Sequence, residues 1–239
     1  MEQTKIIFTG GSGLLGSEFK KILPDILYPT HEQFDVTNSA GMKAYLQAHS
    51  CSLIIHAAAF TSPPLVDREP VKALETNIIG TANLVNLCQE HRIKLIYIST
   101  DYVFKGDQGL YSEEDDLYPV NKYAWSKLGG ECAVRLYDNS IIVRTSFGPT
   151  PFPYEKAFVD QWTSRESAEM IARKISGLIH SDYIGAVHVG GDRRTVFDYA
   201  KSLDPTREIK ELSTNEVSFS VPRDTSLNCE KYKAIAKPI

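Results

Sequence analysis

Short apolar runs alternate with longer stretches of helical periodicity through the first 144 residues. Strands are predicted at residues 5–9, 26–28, 53–56, 94–99 and 140–144, rich in Ile, Val, Leu and Phe with little polar alternation. Such runs suit strands covered on both faces. Leu74, Ile78, Ala82, Val85 and Cys88 recur at three- or four-residue steps, which predicts a helix over 70–91 opened by Pro70, and a second helix is predicted over 122–137. Strands alternating with helices give an α/β fold, a doubly wound parallel sheet with helices on both faces.

Beyond Arg144 the texture changes. FGPTPFPYEKAF holds three prolines, which break regular structure and suit a crossing between lobes. The expected division is a dinucleotide-binding domain over 1–147 and a small, shortened lobe over 148–239, interleaved with the first. In that lobe a helix is predicted over about 167–180, a strand over 186–189 and a helix over 196–203; the KYKAIAKPI end receives no element.

Composition narrows the function classes. With 239 residues and 42% hydrophobic content the chain can build a core. Lys plus Arg is 26 against 30 Asp plus Glu, a net charge of −4 that leaves no basic excess for nucleic acid. Cys51, Cys88, Cys132 and Cys229 lack C-x-x-C spacing, and no apolar run approaches the roughly 20 residues of a membrane span. The start enters a strand without a leader, so a cytoplasmic protein with reduced thiols and no membrane partner is expected. The six histidines show no ligand spacing; His56 reads as a strand-end residue, and no metal is expected.

The first strand runs into TGGSGLLG, residues 9–16, with Gly10, Gly13 and Gly16 three apart before a helix. Small residues let the chain turn tightly and bring amides against a diphosphate, which the helix N-terminus favours. Alone the pattern fits any tight turn; in its strand-turn-helix context it predicts a dinucleotide held by Gly10, Ser12, Gly13, Leu14, Leu15 and Gly16. The second strand is followed by neither an acid for a ribose nor an arginine for a 2′-phosphate, so NAD(H) and NADP(H) both stay open. Asp35, beside Val36, either faces the adenine edge or caps the helix starting near Ser39.

YAWSK places Tyr123 and Lys127 four apart, on one helix face. An ammonium beside a phenol favours the phenolate and so lowers its pKa, although the same pair is common on surface helices. ISTDYVFKG puts Ser99 and Thr100 at the C-terminal edge of the fourth strand, where open parallel sheets bind ligands. A hydroxyl there can hydrogen-bond a carbonyl that Tyr123 protonates, a keto-reduction site of Thr100, Tyr123 and Lys127. Capping is the other use of Ser99 and Thr100.

TGGSGLLG, HAAAFTS, ETNIIGTANL, ISTDYVFKG and YAWSK together resemble the extended short-chain dehydrogenase/reductases, which have a Rossmann-like fold. STDYVF followed by PVNKYAWSKLGGE is similar to the dTDP-4-dehydrorhamnose reductase family. The resemblance covers residues 4–148 and resumes over 221–232. It implies that Thr100 orients the substrate carbonyl, Tyr123 donates the proton, and Lys127 tunes the phenol and holds the nicotinamide ribose. It further implies that Asn77 supports Lys127, that Ala57, Ala58, Ala59, Val36 and Ser99 line the cofactor, and that Tyr102, Asn121 and Phe147 meet a nucleotide-sugar substrate. Asn77 also reads as a helix residue facing water, and Phe147 as a core residue. Asp and Glu after the catalytic threonine mark the dehydratases; Asp101 and Tyr102 stand here, against elimination.

The chain departs from this family at Pro63 and Pro64, in the short segment between Phe147 and Asp160, and in lacking a final helix. Val221 and Pro222 replace an Arg-Pro, leaving Arg223 either to reach a nucleotide phosphate or to rest solvated on the surface. Two other functions follow from the same resemblance, a cofactor-binding regulatory subunit and an NAD-dependent sugar-nucleotide epimerase. The helices over 70–91 and 122–137 are expected to form a homodimer interface.

Overall fold

A computed structural model describes residues 5–217 and 221–236. Five parallel strands form the central sheet in the order β1 (Ile6–Thr9), β2 (Leu53–His56), β3 (Lys94–Ile98), β4 (Ser140–Thr145) and β9 (Gly185–Val189). The strand expected over 26–28 is reduced to one parallel bridge, Ile7 to Leu27, closed by Phe8 N to Leu27 O and Leu27 N to Ile6 O. Pro24 and the exposed Asp25 precede it, so few residues remain to pair. Chain crossings leave β1 in opposite directions, toward Leu27 and toward β2, which makes its C-terminal end the switch point where such sheets open a crevice.

Neighbouring residues of each strand point to opposite faces. Ile6, Phe8, Leu53, Ile55, Ile96, Ile98, Ile141 and Val143 pack with Phe19 of α1 (Leu14–Ile22) and Ile171 and Ile175 of α7 (Ala168–Ser176). Ile7, Ile54, Leu95, Tyr97 and Ile142 pack with Met42 of α2 (Ser39–Ala48), Leu84 and Cys88 of α5 (Thr81–His91), and Val134 of α6 (Lys122–Val134). The doubly wound layering is as predicted.

The helix expected over 70–91 runs as α4 (Pro70–Ala73), a wide π-helical segment Leu74–Gly80 and α5. Pro63 and Pro64, which depart from the family pattern, open the short helix α3 (Pro63–Arg68). The predicted helix over 167–180 is α7 and the strand over 186–189 is β9. Both belong to the large layer, where β9 pairs with β4, and not to the small lobe.

The lobe is built from β5 (Phe147–Gly148), β6 (Lys156–Phe158), β7 (Trp162–Thr163), β8 (Glu166–Ser167), β10 (Arg194–Thr195), α8 (Val196–Leu203) and β11 (Lys210–Leu212). Its own core is small: Phe152, Ala157, Val196, Tyr199, Ala200 and Ile209. Residues 224–228 thread back beside the loop after β3, through Asp224 N to Gly106 O and Tyr111 N to Ser226 O. A final helix, expected to be missing, is present as α9 (Glu230–Ile235).

Candidate active site

A cleft of about 1930 Å³ opens along the C-terminal edge of the sheet, between the glycine turn and the lobe. Typical small-molecule pockets are roughly 300–1,000 Å³, so it has room for two ligands side by side.

The glycine turn forms one end. Gly10 has φ +78°, and a Cβ there would stand 2.8 Å from Ala58 N; one on Gly16 would stand 2.6 Å from Gly10 O. Both positions therefore require glycine. The first turn of α1 carries no acidic residue, leaving its positive end open to an anion. Ser12, Gly13, Leu14, Leu15, Val36 and the three alanines Ala57, Ala58 and Ala59 also line the cleft, where expected.

Asp35 does not line the cleft. It accepts from Thr37 N and Oγ1, both at 2.8 Å, while Asn38 caps α2 by accepting from Gly41 N. The capping use expected of Asp35 does not hold, because a nearer Asx residue takes the cap.

At the other end Ser99, Thr100, Tyr102, Asn121, Tyr123, Lys127 and Phe147 share the cleft wall. Asn121 caps α6 by accepting from Ala124 N at 2.8 Å, fixing the start of the helix that carries Tyr123 and Lys127. Thr100 caps the 3₁₀ turn Asp101–Val103, accepting from Tyr102 N, and donates to Asp101 Oδ1 at 3.2 Å. The Tyr123 phenol lies beside Thr100. Ser99 turns toward Glu131 Oε2, donating at 2.9 Å. Phe147 lines the cleft and also packs against the large core, the second of its two expected uses.

The phenol of Tyr123 is raised, not lowered: burial is the main cause, the Asp101 carboxylate adds to it, and the Thr100 hydroxyl opposes both. Lys127 is 4% exposed, and burial lowers its ammonium to about 7, with Glu131 opposing. Its Nζ stands 4.3 Å from the centroid of the Tyr97 ring, and Tyr97 OH donates to Lys127 O. Burial raises Asp101 to about 6 against hydrogen bonds from Thr225 and Thr100 and the charge of Arg165. His56 lies between Thr9 Oγ1 at 2.8 Å and Thr81 Oγ1 at 3.1 Å, and burial, with Lys127 second, pushes it to about 3, a neutral ring.

Asn77 lies behind the wall. Its amide donates to Phe60 O and to Ser126 Oγ, and its oxygen accepts from Phe60 N, so it ties the segment after the alanines to the residue before Lys127. It is 1% exposed and does not face water. Arg223 is exposed and stands outside the cleft lining, whereas Arg165 lies in it.

Several cleft residues escaped the sequence reading. Asp101 is buried at the centre, joined to the chain's far end by Thr225 Oγ1 at 2.7 Å. Thr145 ends β4 with its hydroxyl buried and without a protein partner. Its position at a strand's carboxyl edge was the available signal.

The chain is 31% identical over 192 residues to a dTDP-4-dehydrorhamnose reductase of Aggregatibacter actinomycetemcomitans, covering 77% of this chain and 65% of the relative. It is 24% identical over 276 residues to the methionine adenosyltransferase 2 subunit beta of Pongo abelii, covering 97% of this chain and 82% of that one. The chain spans 65%, 52% and 42% of the length of three curated relatives, less than two thirds of each. Among solved structures, the dTDP-4-dehydrorhamnose reductase of Bacillus anthracis in complex with NADP superposes with a TM-score of 0.88 at 26% identity, over 100% of this chain and 95% of that one. The family model described as the RmlD substrate binding domain matches residues 4–177, and the chain belongs to that family.

Proposed function

We propose that the chain reduces a keto group on a nucleotide-linked deoxysugar, using NADPH or NADH. The observation that carries this reading is the meeting of Thr100, Tyr123 and Lys127 in one cleft whose other end is a glycine turn that tolerates no side chain. Those residues fit a nicotinamide dinucleotide, with the turn and the α1 terminus for its diphosphate and the alanines along its path. When bound, the reduced nicotinamide supplies the hydride.

The chain's own groups do the rest. Tyr123 carries its proton at neutral pH, as any phenol of ordinary or raised pKa does, and gives it to the developing alkoxide, with Lys127 offsetting the charge that is left. Thr100 spends its one donor on Asp101 through a 3.2 Å bond. A substrate carbonyl takes over that donor, while Tyr102 N keeps the hydroxyl in place. Lys127 presents a buried ammonium one helical turn below Tyr123, placed to hold ribose hydroxyls and to stabilise the phenolate left after proton transfer. Tyr102, Asn121 and Phe147 border the space for the sugar.

The substrate lobe is the part after Phe147 that does not return to the sheet. A homodimer belongs to the same reading, supported by Val71, Leu74 and Trp125, which are 62%, 47% and 53% exposed on the two helices expected to pair. Cytoplasmic residence is supported by four free cysteines, and no described helix is long and apolar enough to cross a membrane.

Similarity to a methionine adenosyltransferase subunit over 97% of the chain favours a second reading, a cofactor-binding subunit without turnover. Oxidation of NADPH and of NADH by a panel of nucleotide-linked 4-keto sugars separates the two. Consumption with at least one sugar is expected; tight dinucleotide binding with no turnover across the panel supports the second reading.

A further inference from the structure

Thr145 is 2% exposed and its hydroxyl has no protein partner. Buried hydroxyls are nearly always hydrogen-bonded, because stripping one of water without replacement is unfavourable. Among the described residues one other side-chain atom shares this condition, Nε of Arg194, but that guanidinium bonds through its other nitrogens to Ser202 and Arg165 O. The hydroxyl is the only polar atom of the Thr145 side chain, and the residue lines the cleft.

Its place along the sheet is specific. Ile98 pairs with Val143, so two residues further along these parallel strands Thr145 comes level with Thr100. The C-terminal edge thus presents, strand by strand, the glycine turn on β1, the alanines on β2, Thr100 on β3 and Thr145 on β4. At a strand spacing of about 4.8 Å, β4 lies roughly 14 Å from β1. A dinucleotide with its diphosphate on the glycine turn directs its nicotinamide half along this edge, past Lys127 and Thr100. The group at its far tip is a planar carboxamide with both donors and an acceptor, which matches a hydroxyl whose donor and acceptor capacity is unused.

We infer that the Thr145 hydroxyl hydrogen-bonds the nicotinamide carboxamide and thereby fixes which face of the ring meets the substrate. This rests on the dinucleotide reading above. A ring turned half a revolution about its glycosidic bond carries the carboxamide away from β4, so one bond selects between two faces.

The test is Thr145→Val, which removes the hydroxyl and keeps the branched shape, with Thr145→Ser retaining the hydroxyl. Dissociation constants are measured for NADPH and NADH, and for ADP-ribose as a probe lacking nicotinamide, together with melting temperatures without ligand. Thr145→Val is expected to bind the dinucleotide about tenfold more weakly and ADP-ribose unchanged. Its unliganded melting temperature should equal or exceed that of the wild type, and Thr145→Ser should stay within about twofold of wild type for both probes. Unchanged dinucleotide affinity in Thr145→Val, or an equal loss for both probes, overturns the assignment while leaving the dinucleotide reading intact. A wild type that binds neither probe overturns both.

Discussion

Glu131 and Arg144 meet at 2.7 Å with neither side chain exposed, joining the helix that carries Tyr123 and Lys127 to the strand that ends in Thr145. Burial raises the Glu131 carboxyl, but Arg144, Ser99 and Arg135 outweigh it and hold the group below its usual value. Arg144 continues the chain of contacts to Glu113 O and His188 Nε2. Removing one charge of such a pair strands the other in the core, at a cost of about 3–5 kcal/mol. Glu131→Leu is expected to lose that much in denaturant unfolding, and the double variant with Arg144→Met to recover most of it. Equal losses in single and double variants would show that the pair is not the cause.

Lys127, lowered to about 7 by burial, carries its charge mainly below that pH. If the ammonium holds the ribose and steadies the phenolate, kcat/KM falls as pH rises through about 7. Lys127→Met should be slower at all pH values and lack this limb. A flat profile in the wild type between pH 6 and 9 contradicts the role.

Asp101 titrates in the opposite sense. Its folded pKa, raised to about 6 from 3.8, means the folded protein binds the proton more tightly than the unfolded chain. Stability contributed by the neutral acid is therefore lost as pH rises from about 4 to about 6. Asp101→Asn, which keeps one acceptor for Thr225, should lack that slope in melting experiments. A wild type no less stable at pH 6 than at pH 4 relative to the variant contradicts the shift.

Gly10→Ala places a methyl 2.8 Å from Ala58 N at a φ of +78°. Dinucleotide affinity should fall at least tenfold, with stability lower by roughly 1–2 kcal/mol from the left-handed backbone alone. Gly185, at φ +104°, meets only Tyr183 OH, 3.7 Å from the added methyl, and lies outside the cleft. Gly185→Ala should share the backbone cost and keep dinucleotide affinity, which calorimetric titration of both variants measures.

What was legible in the sequence is what depends on neighbours in the chain. Strand faces, the glycine turn and the Tyr123 to Lys127 spacing are local, and the structure has them. The 26–28 strand was overestimated because apolar content does not reveal how many partners a strand finds. Residue type gives chemistry but not direction: Asn38 and not Asp35 takes the cap, and of the two uses left open for Arg223 the solvated surface position is the one observed. Asp101 is held by Thr225, 124 residues away, and burial, with Asp101 adding to it, reverses the expected shift of the Tyr123 phenol. Such long-range contacts leave no periodicity to read.

The central claim is that Tyr123 hands its proton to a substrate oxygen inside this cleft. The direct measurement is the single-turnover rate of NADPH oxidation with the nucleotide-linked keto sugar that wild type consumes, compared with Tyr123→Phe at matched dinucleotide saturation. The account predicts a fall of roughly 10²–10⁴-fold with dinucleotide affinity unchanged. A variant that turns over at the wild-type rate would contradict it.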